Sequence, residues 1–191
     1  MVVVLHNIRS LHNVGSIFRT SDAAGVEKLY LCGITPSPLD RLGAVRSDII
    51  KTALGAEKTV AWEKVASTSR LIDRLKKDGF KILALEQAPN SVPYYEYGDG
   101  SRVVARDDRG EENDSRIALI LGAEVEGIPK TILQKADTII EIPMSGTKES
   151  LNVSVAFGIV VFRLRDACHC ELAKQSRFLD RHGVPRDDRL L

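Results

Sequence analysis

Five short apolar runs set the terms for any fold of this chain: Val2 to Leu5, Lys28 to Cys32, Phe80 to Leu85, Ile117 to Leu121 and Thr138 to Ile142. Each has the length of a strand, and none alternates cleanly between apolar and polar side chains. A strand that is apolar on both faces must be covered on both faces, as in a parallel sheet between helix layers. The segments between the runs supply the helices. From Asn13 to Gly25, Val14, Ile17 and Phe18 share one face, with Asn13 read as the N-cap and Gly25 as the stop. Val45 to Leu54 is a second helix. Val65 to Asp78 is a third, with Val65, Leu71, Ile72 and Leu75 at helical spacing before Gly79. A closing helix starts near Leu151 and runs past Ala173, apolar nearly all round in its first half. The expected class is α/β, a mostly parallel sheet flanked by helices.

The 191 residues suffice for one domain with a full core. We place it over residues 1–175, with a polar insertion near 90–115 and a charged tail over 176–191. Net charge is +1, so no global field draws the protein to nucleic acid, and any RNA contact rests on local clusters. The amino terminus lacks the basic and apolar regions of a signal peptide, and no run is long enough to span a membrane. Three cysteines make no disulfide framework, so a reducing cytoplasm is the expected setting.

Three blocks carry polar groups to the carboxyl ends of strands, where open α/β sheets hold ligands. The first runs from Asn7 to Ser21 through the start of a helix. A helix N-terminus attracts anions. Gly15 in its first turn leaves room for a ligand. Arg19 projects off the apolar face with a two-pronged grip suited to phosphate. The second block, Leu119 to Pro129, puts Gly122 at the end of a buried strand and Glu124 at its edge. The third, Ile142-Pro-Met-Ser-Gly-Thr-Lys-Glu-Ser-Leu-Asn-Val-Ser-Val-Ala156, opens a strongly apolar helix with Ser150 and Asn152. Taken singly, each block also fits ordinary structure: a capped helix with a solvated arginine, a strand-to-helix turn with solvated glutamates, a serine cap. There is no Gly-x-Gly-x-x-Gly and no phosphate loop. Cys168-His-Cys170 is too tightly spaced for a zinc pair, and no metal site is expected. His6 and His12 read as structural or surface histidines.

In this order and spacing, the blocks together resemble the three motifs of SpoU-type RNA 2′-O-ribose methyltransferases of the SPOUT, or α/β-knot, superfamily. Asn13, Gly15, Arg19 and Ser21 match the first motif. Gly122, Glu124 and Gly127 match the second. Ile142-Pro-Met, Gly146 and the run from Ser150 to Ala156 match the third, and the likeness extends from Val2 to about Arg165. The resemblance implies a C-terminal trefoil knot, S-adenosylmethionine as methyl donor, a tRNA or rRNA substrate, and a homodimer with sites near its interface. It also implies that backbone around Leu85, Gly122, Ile142 and Leu151, with Met144 nearby, holds the cofactor. By the same resemblance Arg19 is the base, or else clamps the phosphate beside the target ribose. Asn13 would orient Arg19 and the ribose, Ser150 and Asn152 would position substrate groups, and Glu124 would anchor nearby donors.

The chain departs from that pattern in three ways. Val125 stands where such enzymes often carry a small or polar residue, and would narrow the pocket mouth. The segment from about Asp99 to Ser115 is an insertion. The chain opens at its first strand, so no amino-terminal RNA-binding domain is expected. Three readings compete with ribose methylation: methylation of a base by a related knotted enzyme, a non-catalytic module binding RNA or cofactor, and an ordinary doubly wound nucleotide-binding enzyme.

Overall fold

The computed structural model describes residues 1–40, 42–97 and 116–165. Its sheet has seven strands: β1 (Val2–His6), β2 (Lys28–Cys32), β3 (Ala61–Val65), β4 (Phe80–Leu85), β5 (Val92–Pro93), β6 (Arg116–Leu121) and β7 (Thr138–Glu141). Their order is β3-β2-β1-β6-β4-β7-β5, and every pairing is parallel. The helices are α1 (Leu11–Ala24), α2 (Ser47–Ala53), α3 (Ala56–Thr59), α4 (Thr68–Lys77), α5 (Lys130–Leu133) and α6 (residues 153–165).

Successive strand residues point to opposite faces, and here both faces are buried. Val3, Leu5, Leu29, Leu31, Leu119 and Leu121 pack in one cluster with Phe18 of α1, Ile49 of α2 and Phe157 of α6. Val2, Val4, Ile82, Ala84, Ala118 and Ile120 pack in another with Leu71, Ile72 and Leu75 of α4 and Ile132 of α5. The three α4 side chains are almost wholly buried, and each contributes roughly 1.5–3 kcal/mol. Arg70, Asp73, Arg74, Lys76 and Lys77 take the solvent side of that helix.

Several boundaries differ from the sequence expectation, each for a local reason. Ser10, not Asn13, caps α1, its hydroxyl accepting the Asn13 N–H at 3.3 Å. Asn13 therefore lies inside the first turn. Val65 ends strand β3 rather than opening a helix, and Ser67 caps α4. That strand is an edge, half exposed and carrying Glu63 and Lys64, so it lacks the apolar signature of its neighbours. Asn152, not Ser150, caps α6: its Oδ1 accepts the Ser154 N–H at 2.9 Å and the Ser154 hydroxyl at 2.7 Å.

Most of the polar insertion (residues 98–115), the expected run of the closing helix past residue 165, Cys168-His-Cys170 and the charged tail lie outside the described residues. The C-terminal knot implied by the resemblance lies outside them as well.

Candidate active site

The winding of the sheet reverses between β1 and β6. From β1 the chain steps outward through β2 to β3, whereas β4 to β7 lie on the other side. In a doubly wound sheet such a reversal opens the crevice where ligands sit. Here a carboxylate of the protein occupies it. Glu124, in the loop after β6, accepts the Arg9 N–H at 3.1 Å, the Ser10 N–H at 3.2 Å and the Asn13 side-chain amide at 3.0 Å. Desolvation works to raise the Glu124 carboxyl, but the Arg9 N–H, the Asn13 amide and other backbone N–H groups outweigh it and hold it below its ordinary value. The chain just ahead of α1 is thus supplied with negative charge from within, by a carboxylate that takes the Arg9 and Ser10 N–H groups.

Gly15 is also reassigned. A Cβ there would lie 2.0 Å from Thr52 Oγ1 and 2.3 Å from the Ile49 carbonyl oxygen. The missing side chain lets α1 and α2 touch; it does not admit a ligand.

The open cleft, about 460 Å3, lies one strand further on, over the ends of β6, β4 and β7. Leu85, Gly122, Ile142, Met144 and Leu151, the five residues the resemblance assigns to a cofactor, all line it. So do Glu124, Ser150 and Asn152. Gly122 is required by the turn beneath: a Cβ would stand 2.5 Å from the Gly127 carbonyl carbon and 2.7 Å from Ile128 N. Ala123 and Gly127 close that turn with two backbone hydrogen bonds, 3.2 and 3.0 Å. Val125 is 88% exposed and stands at the cleft's rim.

Among the described residues, four carboxylates line this cleft, from Glu86, Glu124, Glu141 and Glu149, and no lysine or arginine does. Such a field favours a cation and disfavours a phosphate. Sequence reasoning missed Glu86 and Glu141. The strand-end rule that singled out Glu124 reaches Glu86 equally, because it directly follows the apolar β4.

Asn13, Glu124 and Asn152 are brought together. The Asn152 amide donates to Asn13 Oδ1 at 3.1 Å, and the Asn13 amide donates to Glu124. A carboxylate only accepts, so the orientation of both amides follows from Glu124. Ser150 is exposed on the cleft wall.

Arg19 is not part of this cluster. It lies six residues beyond Asn13, about 9 Å along the helix axis and on another face. Its exposed side chain lines a separate depression of about 500 Å3 with Ser16, Thr20, Ala23, Lys51, Thr52 and Phe162. His6 is structural, its Nδ1 2.7 Å from Thr68 Oγ1, and burial pushes its pKa down. Among the described residues, no group of three or more His, Cys, Asp or Glu could hold a metal ion, and no helix is long and apolar enough to cross a membrane.

Fold and cleft together define an open, parallel α/β protein with a carboxylate-bearing cleft at its strand ends. The profile of the SpoU rRNA Methylase family matches residues 1–162, and the chain belongs to that family. A relative from Staphylococcus epidermidis, assigned to the TrmH family of tRNA/rRNA methyltransferases, is 31% identical over 163 residues, 85% of this chain and 57% of the relative. Among solved structures, the AdoMet-bound rRNA methyltransferase from Sinorhizobium meliloti matches with a TM-score of 0.70 at 26% identity, covering 86% of this chain and 55% of that one. The A. aeolicus TrmH/SpoU tRNA modifying enzyme matches with a TM-score of 0.70 at 28% identity, covering 89% and 76%. The chain spans 57% of the length of the curated relatives it matches.

Proposed function

We propose that this protein is an S-adenosylmethionine-dependent RNA methyltransferase acting on a ribose 2′-hydroxyl of tRNA or rRNA. The observation that carries the proposal is the acidic cleft at β6, β4 and β7, joined through Asn152, Asn13 and Glu124 to the start of α1. S-adenosylmethionine has two positive groups and one negative, so a cleft whose charged groups among the described residues are all carboxylates suits it. A dinucleotide, with two phosphates, meets no basic side chain in the cleft among the described residues, and Glu124 sets a negative charge just ahead of α1, which disfavours the ordinary nucleotide-binding reading. Leu85, Leu121, Ile142 and Leu151 provide apolar walls for the adenine. When bound, the cofactor would supply an electrophilic methyl; the ribose oxygen would take it as the sulfur–methyl bond breaks, leaving the neutral thioether, and its proton would pass to a phosphate oxygen or water.

The remaining work falls to this chain's side chains. Asn152 and Asn13, locked in one orientation by Glu124, present fixed amide groups beside the cleft to hold the sugar. Arg19, with Lys51 beside it, grips a backbone phosphate of the RNA. We assign Arg19 the clamp rather than the base, because a guanidinium stays protonated. Arg19 faces away from the cleft of its own subunit. A homodimer that brings α1 of one copy to the cleft of the other reconciles the two positions. Val155 and Ile159 on α6, 51% and 37% exposed, offer an apolar face for that contact. The setting we propose is the cytoplasm.

Incubation with labelled cofactor and bulk tRNA or rRNA tests this reading. Label should enter RNA, and the phosphodiester next to the modified nucleotide should resist alkali. Label beside an alkali-sensitive linkage would move the target to a base. No transfer, with cofactor demonstrably bound, would defeat the proposal and favour a non-catalytic module.

A further inference from the structure

We infer that Glu86 is a specificity-determining residue of the cleft, accepting hydrogen bonds from the adjacent ribose hydroxyls of the adenosyl group. The inference rests on the functional reading above. Glu86 directly follows β4, the strand between β6 and β7, so it sits at the middle of the cleft floor. Its backbone N–H is tied to the Ile140 carbonyl oxygen at 3.0 Å. Its Oε2 accepts the Ile128 N–H at 2.8 Å, and its Oε1 accepts the Gln87 N–H at 3.1 Å. Gly127 makes that reach possible: at φ +64°, a Cβ there would stand 2.5 Å from Glu86 Oε2.

The carboxylate is therefore held in place with one N–H on each oxygen, and each oxygen keeps a second acceptor direction. A group oriented before the ligand arrives loses little freedom on binding. Two neighbouring acceptors match two neighbouring hydroxyls, and an acidic residue likewise takes a ribose hydroxyl in dinucleotide folds. The other three carboxylates suit this task less well. Glu124 is already engaged by three donors. No hydrogen bond among the described residues orients Glu141 or Glu149, which supply charge but no fixed pair of acceptors.

Calorimetric titration of the wild type, Glu86→Gln and Glu86→Ala with S-adenosylhomocysteine and its 2′-deoxy and 3′-deoxy ribose analogues tests the assignment. The wild type should bind the parent roughly 10- to 100-fold more tightly than at least one deoxy analogue, the worth of a hydrogen bond to a charged group. In Glu86→Ala the ratio should fall below about threefold, with Glu86→Gln between. A role confined to holding the turn at residues 123–128 would weaken all three ligands alike and leave the ratio unchanged. That outcome, or a wild type that does not discriminate, overturns the assignment. If Glu86→Ala fails to fold by thermal unfolding, the Glu86→Gln ratio decides. A wild type that binds no S-adenosylhomocysteine overturns the functional reading and this assignment with it, whereas binding with an unaltered ratio overturns the assignment alone.

Discussion

Asn152 and Asn13 lie 139 residues apart in the chain, and their side-chain amides meet at 3.1 Å. One caps α6 and the other sits in the first turn of α1, so a single hydrogen bond joins the two helices beside the cleft. Glu124 decides which way both amides point. The contact thus couples all three motif blocks, and its polarity is set by one carboxylate.

Asn152→Asp separates the cap from the contact. The carboxylate still caps α6 but faces the Asn13 oxygen without a donor. Asn152→Ala loses both and should cost about 1 kcal/mol of stability. We expect Asn152→Asp to stay within about 1 kcal/mol of wild type in denaturant unfolding, and both variants to lose most methyl transfer. Near-normal turnover by the aspartate variant would return the pair to a purely structural role.

Glu124 predicts a limb in the stability–pH profile. Its folded pKa is depressed, so its contribution is fully present above the ordinary value of 4.5 and is lost as pH falls through the lower folded value. The carboxylate is exposed, which keeps the effect small. Thermal unfolding between about pH 6 and about pH 3 should steepen less in Glu124→Gln than in wild type. Superimposable acid limbs would contradict the clamp.

Arg19 is exposed and, among the described residues, carries no ion pair, so replacing it should shift stability by less than about 0.5 kcal/mol. Transfer to RNA should fall sharply in Arg19→Ala and nearly as far in Arg19→Lys, because a point charge cannot reproduce a two-pronged grip. Wild-type turnover by the lysine variant would refute the geometric argument.

Gly15→Ala sets two effects against each other. In a helix interior alanine should gain about 1 kcal/mol over glycine. The added Cβ, however, would meet the Ile49 backbone oxygen at 2.3 Å, and backbone cannot rotate aside. Overpacking of roughly 1–3 kcal/mol should win. A raised thermal midpoint would show that α1 and α2 separate more easily than this.

Much of the sheet was legible because each core strand carries its own evidence: Val2 to Leu5 or Ile117 to Leu121 can lie nowhere but between two layers. The edge strand β3 and two-residue β5 escaped because their neighbours, not their side chains, make them strands. Ser10 escaped for a related reason, since Asn13 is an equally good cap by residue type and the chain's path chooses between them.

Sequence alone determined the α/β class and the burial of the main strands, because periodicity is a local property; the cofactor assignments in the cleft were reached only through the likeness to a family. Tertiary structure alone decided that Glu124 fills the crevice between β1 and β6, that Gly15 serves helix contact, that Arg19 stands apart, and that Glu86 is aimed by the turn after β6. Those facts depend on backbone amides and carbonyls from distant segments arriving within about 3 Å of one side chain, and no pattern along the chain encodes that arrival.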